Sequence, residues 1–107
     1  MKLKRSNSSE YASFIDDDHN GFTDLHYASF FGNKRKIKKI LKKGSNINET
    51  DLCHRTALHF AAGRNNISII KYLLKHKADP SLIDWNGRTP YSIALQYGHQ
   101  KAAVLLL

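Results

Sequence analysis

Apolar residues recur at helical spacing in three stretches of the chain. Within each stretch they lie three or four positions apart, so they share one face of a helix, while Lys and other polar residues occupy the opposite face. The apolar positions are Ile37, Ile40 and Leu41; Ile67, Ile70, Leu73 and Leu74; and Ala103, Leu106 and Leu107. The pattern predicts three amphipathic helices.

A short segment with its own start and stop signals precedes each of these helices. A threonine begins it, and the threonine hydroxyl can accept a backbone N–H of the first helical turn. Pro90 stands where a first helical residue tolerates proline. A residue suited to the left-handed conformation then ends the segment. The threonines are Thr23, Thr56 and Thr89, and the closing residues are Gly32, Asn65 and Gly98.

The same eleven-residue pattern returns at a period of 33 residues. Residues 18–28 read DHNGFTDLHYA, residues 51–61 read DLCHRTALHFA, and residues 84–94 read DWNGRTPYSIA. Each copy opens a unit of helix, turn, helix and exposed turn. Such a unit cannot bury its apolar face alone, so neighbouring units are expected to stack around a continuous core.

The period and the pattern D-x-x-G-x-T-P-L-H-x-A resemble the ankyrin repeat. The resemblance covers residues 18–107 and implies an all-α solenoid of three repeats, 18–50, 51–83 and 84–107, the last incomplete. Departures are local, since Asp24 and Ala57 replace the proline, His54 the turn glycine, and Ser92 the histidine. The histidine of the pattern, His26 and His59, is expected to make structural hydrogen bonds between repeats.

The two ends are less regular than the repeats. Residues 1–17 begin with a basic, Ser-rich arm, and Tyr11, Phe14 and Ile15 predict a short helix that caps the first repeat. Lys36 and Lys39 would then face the open end of the stack. Residues 104–107 read VLLL and are expected to leave apolar surface uncovered. That surface suggests further repeats or self-association at this end.

The composition indicates the cellular compartment of the protein and excludes several classes of protein. The chain has 107 residues, 41% of them hydrophobic, and a formal net charge of +8, which favours negatively charged partners. A single cysteine, Cys53, excludes an internal disulfide framework and favours an intracellular setting, cytoplasm or nucleus. No run of 18 apolar residues and no secretory h-region occur in the sequence.

Candidate chemistry is sparse, and we expect no enzyme, no metal site and no cofactor. Cys53 and His54 are adjacent, but a Cys-His nucleophilic pair needs a third orienting group, and their spacing with His59 matches no zinc pattern. Residues 16–18 are three aspartates, which we interpret as a solvated acidic segment. The glycines are scattered at turns and form no phosphate-binding loop.

A run of basic residues forms one candidate binding surface. The residues lie mainly on the predicted second helices and should form a stripe on the outer face of the stack: Lys34, Arg35, Lys38, Lys42, Lys71 and Lys75. Such a stripe could bind nucleic acid or an anionic membrane. A solvated lysine face is the alternative interpretation.

The resemblance implies a second candidate surface, because ankyrin repeats usually bind partners through their turn tips and the concave groove of their first helices. The corresponding residues are rich in the aromatic and Arg side chains that dominate protein interfaces. They are Phe22, Phe30, Arg55, Arg64, Trp85, Asn86, Arg88 and Tyr97. The alternative for the phenylalanines is internal packing. The leading hypothesis is a non-enzymatic module that binds an acidic or mixed segment of another protein, whose identity the sequence does not give.

Overall fold

The computed structural model describes residues 20–107, which form six α-helices and no strand. The helices are α1 (Asp24–Phe31), α2 (Lys34–Lys42), α3 (Ala57–Gly63), α4 (Ile67–Lys75), α5 (Pro90–Gln96) and α6 (Gln100–Leu105). The predicted all-α architecture of helix-turn-helix units is confirmed over this part of the chain. The basic arm and the capping helix predicted for residues 1–17 lie outside the described residues.

Each first helix begins at the threonine that the sequence pattern identified. The hydroxyls of Thr23, Thr56 and Thr89 accept the backbone N–H three residues later, and the side chain of that third residue accepts the threonine N–H. This reciprocal pair is a capping box, and it satisfies two backbone donors that the helix itself leaves unpaired. The start of each unit is therefore fixed locally.

The link between the two helices of a unit uses a left-handed residue. Gly32, Asn65 and Gly98 have φ angles of 73°, 56° and 75°. The chain then turns sharply, and the side chains of Asn33 and Asn66 accept the N–H groups of Lys36 and Ile69 at the start of α2 and α4. A Cβ at Gly32 would lie 2.5 Å from the side-chain nitrogen of Asn66, so a larger residue there would displace the side chain that caps α4.

The units stack through both of their helices. The first helices pack in the order α1, α3, α5, each second helix packs on its own first helix, and α4 also packs on α6. Leu25, Leu58, Ile37, Ile70 and Leu73 are almost fully buried in the resulting core. The core therefore runs continuously through the described part of the stack, as expected for units that cannot bury their faces alone.

Two details of the third unit differ from the sequence interpretation. Leu107 does not share the buried face, because α6 ends at Leu105 and Leu107 is 84% exposed. Ala102 takes its place in the core beside Ala103 and Leu106. Val104 is 66% exposed, which agrees with the expectation of uncovered apolar surface near this end.

Candidate functional site

A buried aspartate builds each of the two fully described turns between units. The Oδ1 atom of Asp51 accepts the backbone N–H groups of Cys53 and Arg55 at 2.9 and 2.8 Å, and the Asp51 N–H donates to the Arg55 carbonyl at 3.0 Å. Asp84 makes the equivalent bonds with the N–H groups of Asn86 and Arg88, both at 2.9 Å. The aligned aspartates of the repeat pattern thus organise the turns.

Adjacent turns are joined to each other through their backbones. The Leu52 N–H donates to the Asn20 carbonyl at 2.7 Å, and the Trp85 N–H donates to the Cys53 carbonyl at 3.1 Å. This arrangement leaves Leu52 and Trp85 at the tips, 55% and 68% exposed. The His54 ring lies 5.6 Å from the Trp85 ring between centroids.

Arg55 and Arg88 are held against the turns by the same aspartates. Arg55 donates from Nε to Oδ2 of Asp51 at 2.8 Å, and Arg88 donates from Nε to Oδ2 of Asp84 at 3.1 Å. Burial acts to raise the pKa of Asp84, but the hydrogen bonds and positive charge of Arg88 lower it below its ordinary value. Asp84 is therefore ionised at neutral pH and fixes the guanidinium in one position.

Aromatic rings and guanidinium groups form a continuous ladder along the first helices. The Arg55 guanidinium lies 5.4 Å from the centroid of Phe22 and 5.0 Å from that of Phe60. Phe60 meets Phe30 at 6.2 Å, and the Arg64 guanidinium lies 4.5 Å over Phe30. We call these five residues the aromatic-arginine ladder. Such cation–π contacts order both partners, so the ladder is a preorganised surface.

Phe30 supports this surface and does not present its ring to a partner. Its side chain is 8% exposed, beneath Arg64 and beside Phe31, whose ring centroid is 5.1 Å away. The prediction of Phe30 as a contact residue is therefore corrected in favour of internal packing. Its neighbour Phe31 is 53% exposed instead. Phe22 is half-buried under Arg55.

The remaining predicted residues lie on the third unit. Asn86 is exposed at the turn tip beside Trp85, and Tyr97 is 56% exposed just after α5. Arg88 reaches toward α5, where its Nη1 donates to Oε1 of Gln96 at 3.2 Å. We call the side of the stack formed by the turn tips and first helices the turn face; it carries Leu52, His54, Arg55, Arg64, Trp85, Asn86, Arg88 and Tyr97.

The predicted basic residues form a separate surface on the second helices. Lys34, Arg35, Lys38, Lys42, Lys71 and Lys75 are all exposed on α2 and α4. Six of the nine residues of α2 are Lys or Arg, and none of the three second helices carries Asp or Glu. The lysine stripe is therefore a structural feature of the outer side, away from the turn face.

A family model for ankyrin repeats in three copies matches residues 25–107. The chain belongs to the ankyrin-repeat family. The resemblance drawn from the period and motif is thus confirmed. Ankyrin repeats form a non-catalytic fold and generally serve as protein–protein interaction modules.

Curated relatives carry the same repeats within much longer chains. The chain is 33% identical over 96 residues to human transient receptor potential cation channel subfamily A member 1, covering 87% of this chain and 9% of the channel. It is 34% identical over 93 residues to putative glutaminase 3 of Caenorhabditis elegans, with 86% and 16% coverage. It is 34% identical over 88 residues to mouse Rabankyrin-5, with 81% and 8% coverage. The chain spans less than a fifth of each of these relatives.

The ankyrin histidines join neighbouring repeats, as the resemblance implied. His26 Nε2 donates to the carbonyls of Glu49 and Arg55 at 3.1 and 3.0 Å, and His59 Nε2 donates to the Arg88 carbonyl at 2.9 Å. Their Nδ1 atoms accept the N–H groups of the capping threonines. Burial lowers the pKa of both imidazoles, against opposing contributions from nearby carboxylates and carbonyls. Both rings are therefore neutral at pH 7 and have a structural role.

Sequence reasoning missed some residues of the turn face. It did not identify Phe60, which is 8% exposed and links Phe22 to Phe30 across the repeat boundary. It identified His54 as the residue that replaces the turn glycine, but did not include it among the partner-binding residues. His54 has φ 62° and stands where Gly21 and Gly87 have 69° and 74°, which agrees with its alignment to the turn glycine.

Two further features concern metal binding and membrane insertion. Within residues 20–107, no group of three or more His, Cys, Asp or Glu side chains lies close enough together to hold a metal ion. In the same part of the chain, no helix has the length and apolar character needed to cross a membrane.

Proposed function

We propose that this ankyrin-repeat chain is a non-enzymatic binding module that docks a segment of another protein on its turn face. Support comes from the family, whose repeats generally bind proteins, and from the composition of the turn face. Trp, Tyr and Arg are the residues that most often dominate binding energy at interfaces. The turn face offers one Trp, Tyr97 and three arginines on a single side of the stack.

The exposed side chain of Trp85 is the main structural support for this proposal. An indole that is 68% exposed at a turn tip leaves a large apolar surface in water, which a partner would cover. Its backbone is held by the Cys53 carbonyl and by the turn that Asp84 organises. The tip is therefore presented in a fixed position, and little ordering entropy is lost when a partner binds.

The charges of the turn face favour a partner segment of mixed character. Arg55 and Arg88 already pair with Asp51 and Asp84, so their charges are largely neutralised. Arg64 instead donates to the Phe30 carbonyl at 3.2 Å, and no carboxylate within residues 20–107 pairs with it. We infer a segment that places an apolar side chain against Trp85 and an acidic side chain near Arg64.

Affinity capture with the intact chain tests the proposal. Partners captured by the unmodified chain and by Trp85→Ala are compared by quantitative mass spectrometry, and the leading partner is then titrated calorimetrically. Loss of an interface hot spot is worth about 2 to 4 kcal/mol, so Trp85→Ala should weaken binding roughly 30-fold to 1,000-fold. Trp85→Ala is a cleaner variant than Arg88→Ala, because Arg88 also neutralises the buried Asp84.

Leu107→Ala is the matched control. Leu107 is also an exposed apolar side chain, at 84%, but it follows α6 and is not part of the turn face. It should leave capture through the turn face unchanged. Equal affinity of Trp85→Ala and the unmodified chain for the captured partner would count against this binding mode.

A further inference from the structure

The outer side of the stack contains a groove that the turn face does not use. The groove lies between α4 and α6 and has a volume of about 570 Å³. Six residues line it: Ile67 and Lys71 from α4, and Gln100, Lys101, Val104 and Leu105 from α6. Ile67, Val104 and Leu105 provide an apolar floor, and a lysine stands on each wall.

The equivalent groove one repeat earlier has a different character. It lies between α2 and α4, has a volume of about 520 Å³ and includes Lys34, Lys71 and Tyr72. The ammonium groups of Lys34 and Lys38 lie 5.4 and 5.9 Å from the centroid of the Tyr72 ring and shield it. In this first groove the protein's own lysine side chains therefore cover the aromatic ring.

A period of 33 relates the residues of the two grooves. Going from the first groove to the second, Ile67 replaces Lys34, Val104 replaces Lys71, and Leu105 replaces Tyr72. One of the two shielding lysines, Lys34, and the Tyr72 ring are thus both replaced, whereas Lys71 stands in the place of Lys38. The floor of the second groove is left open and aliphatic.

The exposure of Val104 is a property of its position in the repeat. The equivalent residues Lys38 and Lys71 are also exposed, and Lys71 remains so although a repeat packs on either side of it. The position therefore faces outward wherever it occurs in the stack. Two repeats fill it with a solvated lysine, whereas the third fills it with an apolar side chain that is 66% exposed.

Charge identifies the complementary surface. None of α2, α4 and α6 carries an acidic residue, and Lys71 and Lys101 stand on opposite walls of the second groove. A binding partner must therefore supply apolar side chains for the floor and negative charge for both edges. A helix that lies between two helices, with its apolar stripe facing down, has this arrangement.

We propose that the groove between α4 and α6 binds an amphipathic helix of a partner protein whose apolar stripe is flanked by Asp or Glu. Nucleic acid would satisfy the lysines but would leave the aliphatic floor uncovered. The proposal is independent of the turn face, because the two surfaces share no residue.

A synthetic helical peptide provides the probe. It carries Leu at positions i, i+3, i+4 and i+7 with Glu on both flanks, and its binding to the full chain is followed by fluorescence anisotropy. Val104→Lys is the test variant, because Lys38 and Lys71 show that the repeat accepts lysine at this position. The variant should bind the peptide at least tenfold more weakly, even though it gains a positive charge. Circular dichroism checks that its helices are intact.

Two controls separate the groove from general electrostatics. Lys36→Ala removes an exposed charge from α2 that lies outside both grooves and should leave binding within twofold. The double variant Lys71→Glu and Lys101→Glu should lose the Glu-flanked peptide and gain a Lys-flanked one. Trp85→Ala should bind the peptide normally, which distinguishes this site from the turn face.

Several results would overturn the proposal. They are unchanged binding by Val104→Lys, equal binding of the Glu-flanked and Lys-flanked peptides by the unmodified chain, and no binding of the Glu-flanked peptide. Binding of random duplex DNA or phosphatidylserine vesicles that displaces the peptide and is unaffected by Val104→Lys would assign the surface to phosphate instead.

Discussion

Asp51 and Asp84 are the residues on which the turn face depends most directly. Each accepts two backbone N–H groups and an arginine Nε while remaining only 4% exposed. Such charge-assisted bonds to an ionised carboxylate are stronger than neutral ones. Each aspartate therefore forms an ion pair with the arginine four positions later and fixes the direction of its side chain.

Asp51→Ala is predicted to destabilise the protein by about 2 to 4 kcal/mol, because it leaves two turn N–H groups and Arg55 without their acceptor. Urea unfolding measures the change. Asp24→Ala, at an exposed position in the first turn of α1, is the control and should cost less than about 1 kcal/mol. Similar losses for both variants would show that the turn does not depend on Asp51.

His26 and His59 make the stability of the stack pH-dependent. Each ring accepts a threonine N–H at Nδ1, so protonation of Nδ1 would remove the acceptor and charge a buried group. Their folded-state pKa values lie below 6.5, so the unfolded chain takes up protons first as the pH falls. Their contribution to stability is complete above pH 6.5 and declines as the pH falls toward the lowered folded-state pKa.

His59→Ser is the variant that isolates this effect. Ser92 shows that serine can complete the capping box, since its hydroxyl accepts the Thr89 N–H at 2.9 Å. The variant should be less stable at about pH 8, because the bond to the Arg88 carbonyl is lost. Its stability should also fall less between about pH 8 and pH 5 than that of the unmodified chain. An identical decline in both proteins would exclude His59 as a titrating group.

At the scale of the helices, left-handed residues determine where each element ends. Gly44 and Lys77 occupy equivalent places after α2 and α4, with φ angles of 97° and 76°. A side chain at positive φ is strained by about 1 to 2 kcal/mol, whereas glycine is not. The backbone of the second unit is therefore held in an unfavourable conformation at Lys77.

Lys77→Gly is predicted to stabilise the protein by about 0.5 to 1 kcal/mol, after the greater entropy of glycine in the unfolded chain is deducted. Gly44→Ala should destabilise it by a similar amount, for conformational reasons alone, because no atom lies within 4 Å of the added Cβ. Thermal unfolding of the two variants measures both changes. Destabilisation by Lys77→Gly, or stabilisation by Gly44→Ala, would contradict the assignment of strain to this position.

The helices and their ends were largely predictable from sequence. The capping threonines, the closing residues 32, 65 and 98, and the period all follow from local patterns. Leu107 was predicted to share the apolar face of the last helix. It does not, because α6 ends at Leu105, and apolar spacing cannot show where a helix ends. Apolar spacing alone does not fix the last residue of a helix to better than about one or two positions.

The site was less predictable because its contacts cross repeat boundaries. Phe30 is buried by Arg64, a residue of the next repeat, and Phe60 meets Phe22 in the same way. No spacing within one repeat indicates such packing. The pairing of Asp51 with Arg55 and of Asp84 with Arg88 did have a signal, since both pairs are separated by four residues.

At the scale of the molecule, the stack separates two surfaces of different character. The turn face combines exposed Trp85 and Tyr97 with arginines that the protein already orders. The outer side carries the second helices, which are rich in lysine and contain no acidic residue. Because repeats contact only their neighbours, each surface is built from equivalent positions that recur along the stack, and the residues at those positions give it its character.

The single tryptophan permits the most direct test of the turn face as a docking surface. The sequence contains one Trp, so intrinsic fluorescence at the Trp excitation wavelength reports Trp85 alone. We predict that acrylamide readily quenches this fluorescence in the free chain, because Trp85 is 68% exposed, and that quenching falls severalfold in complex with a captured partner that lacks Trp. Equal quenching in the free chain and in the saturated complex would contradict docking at the turn face.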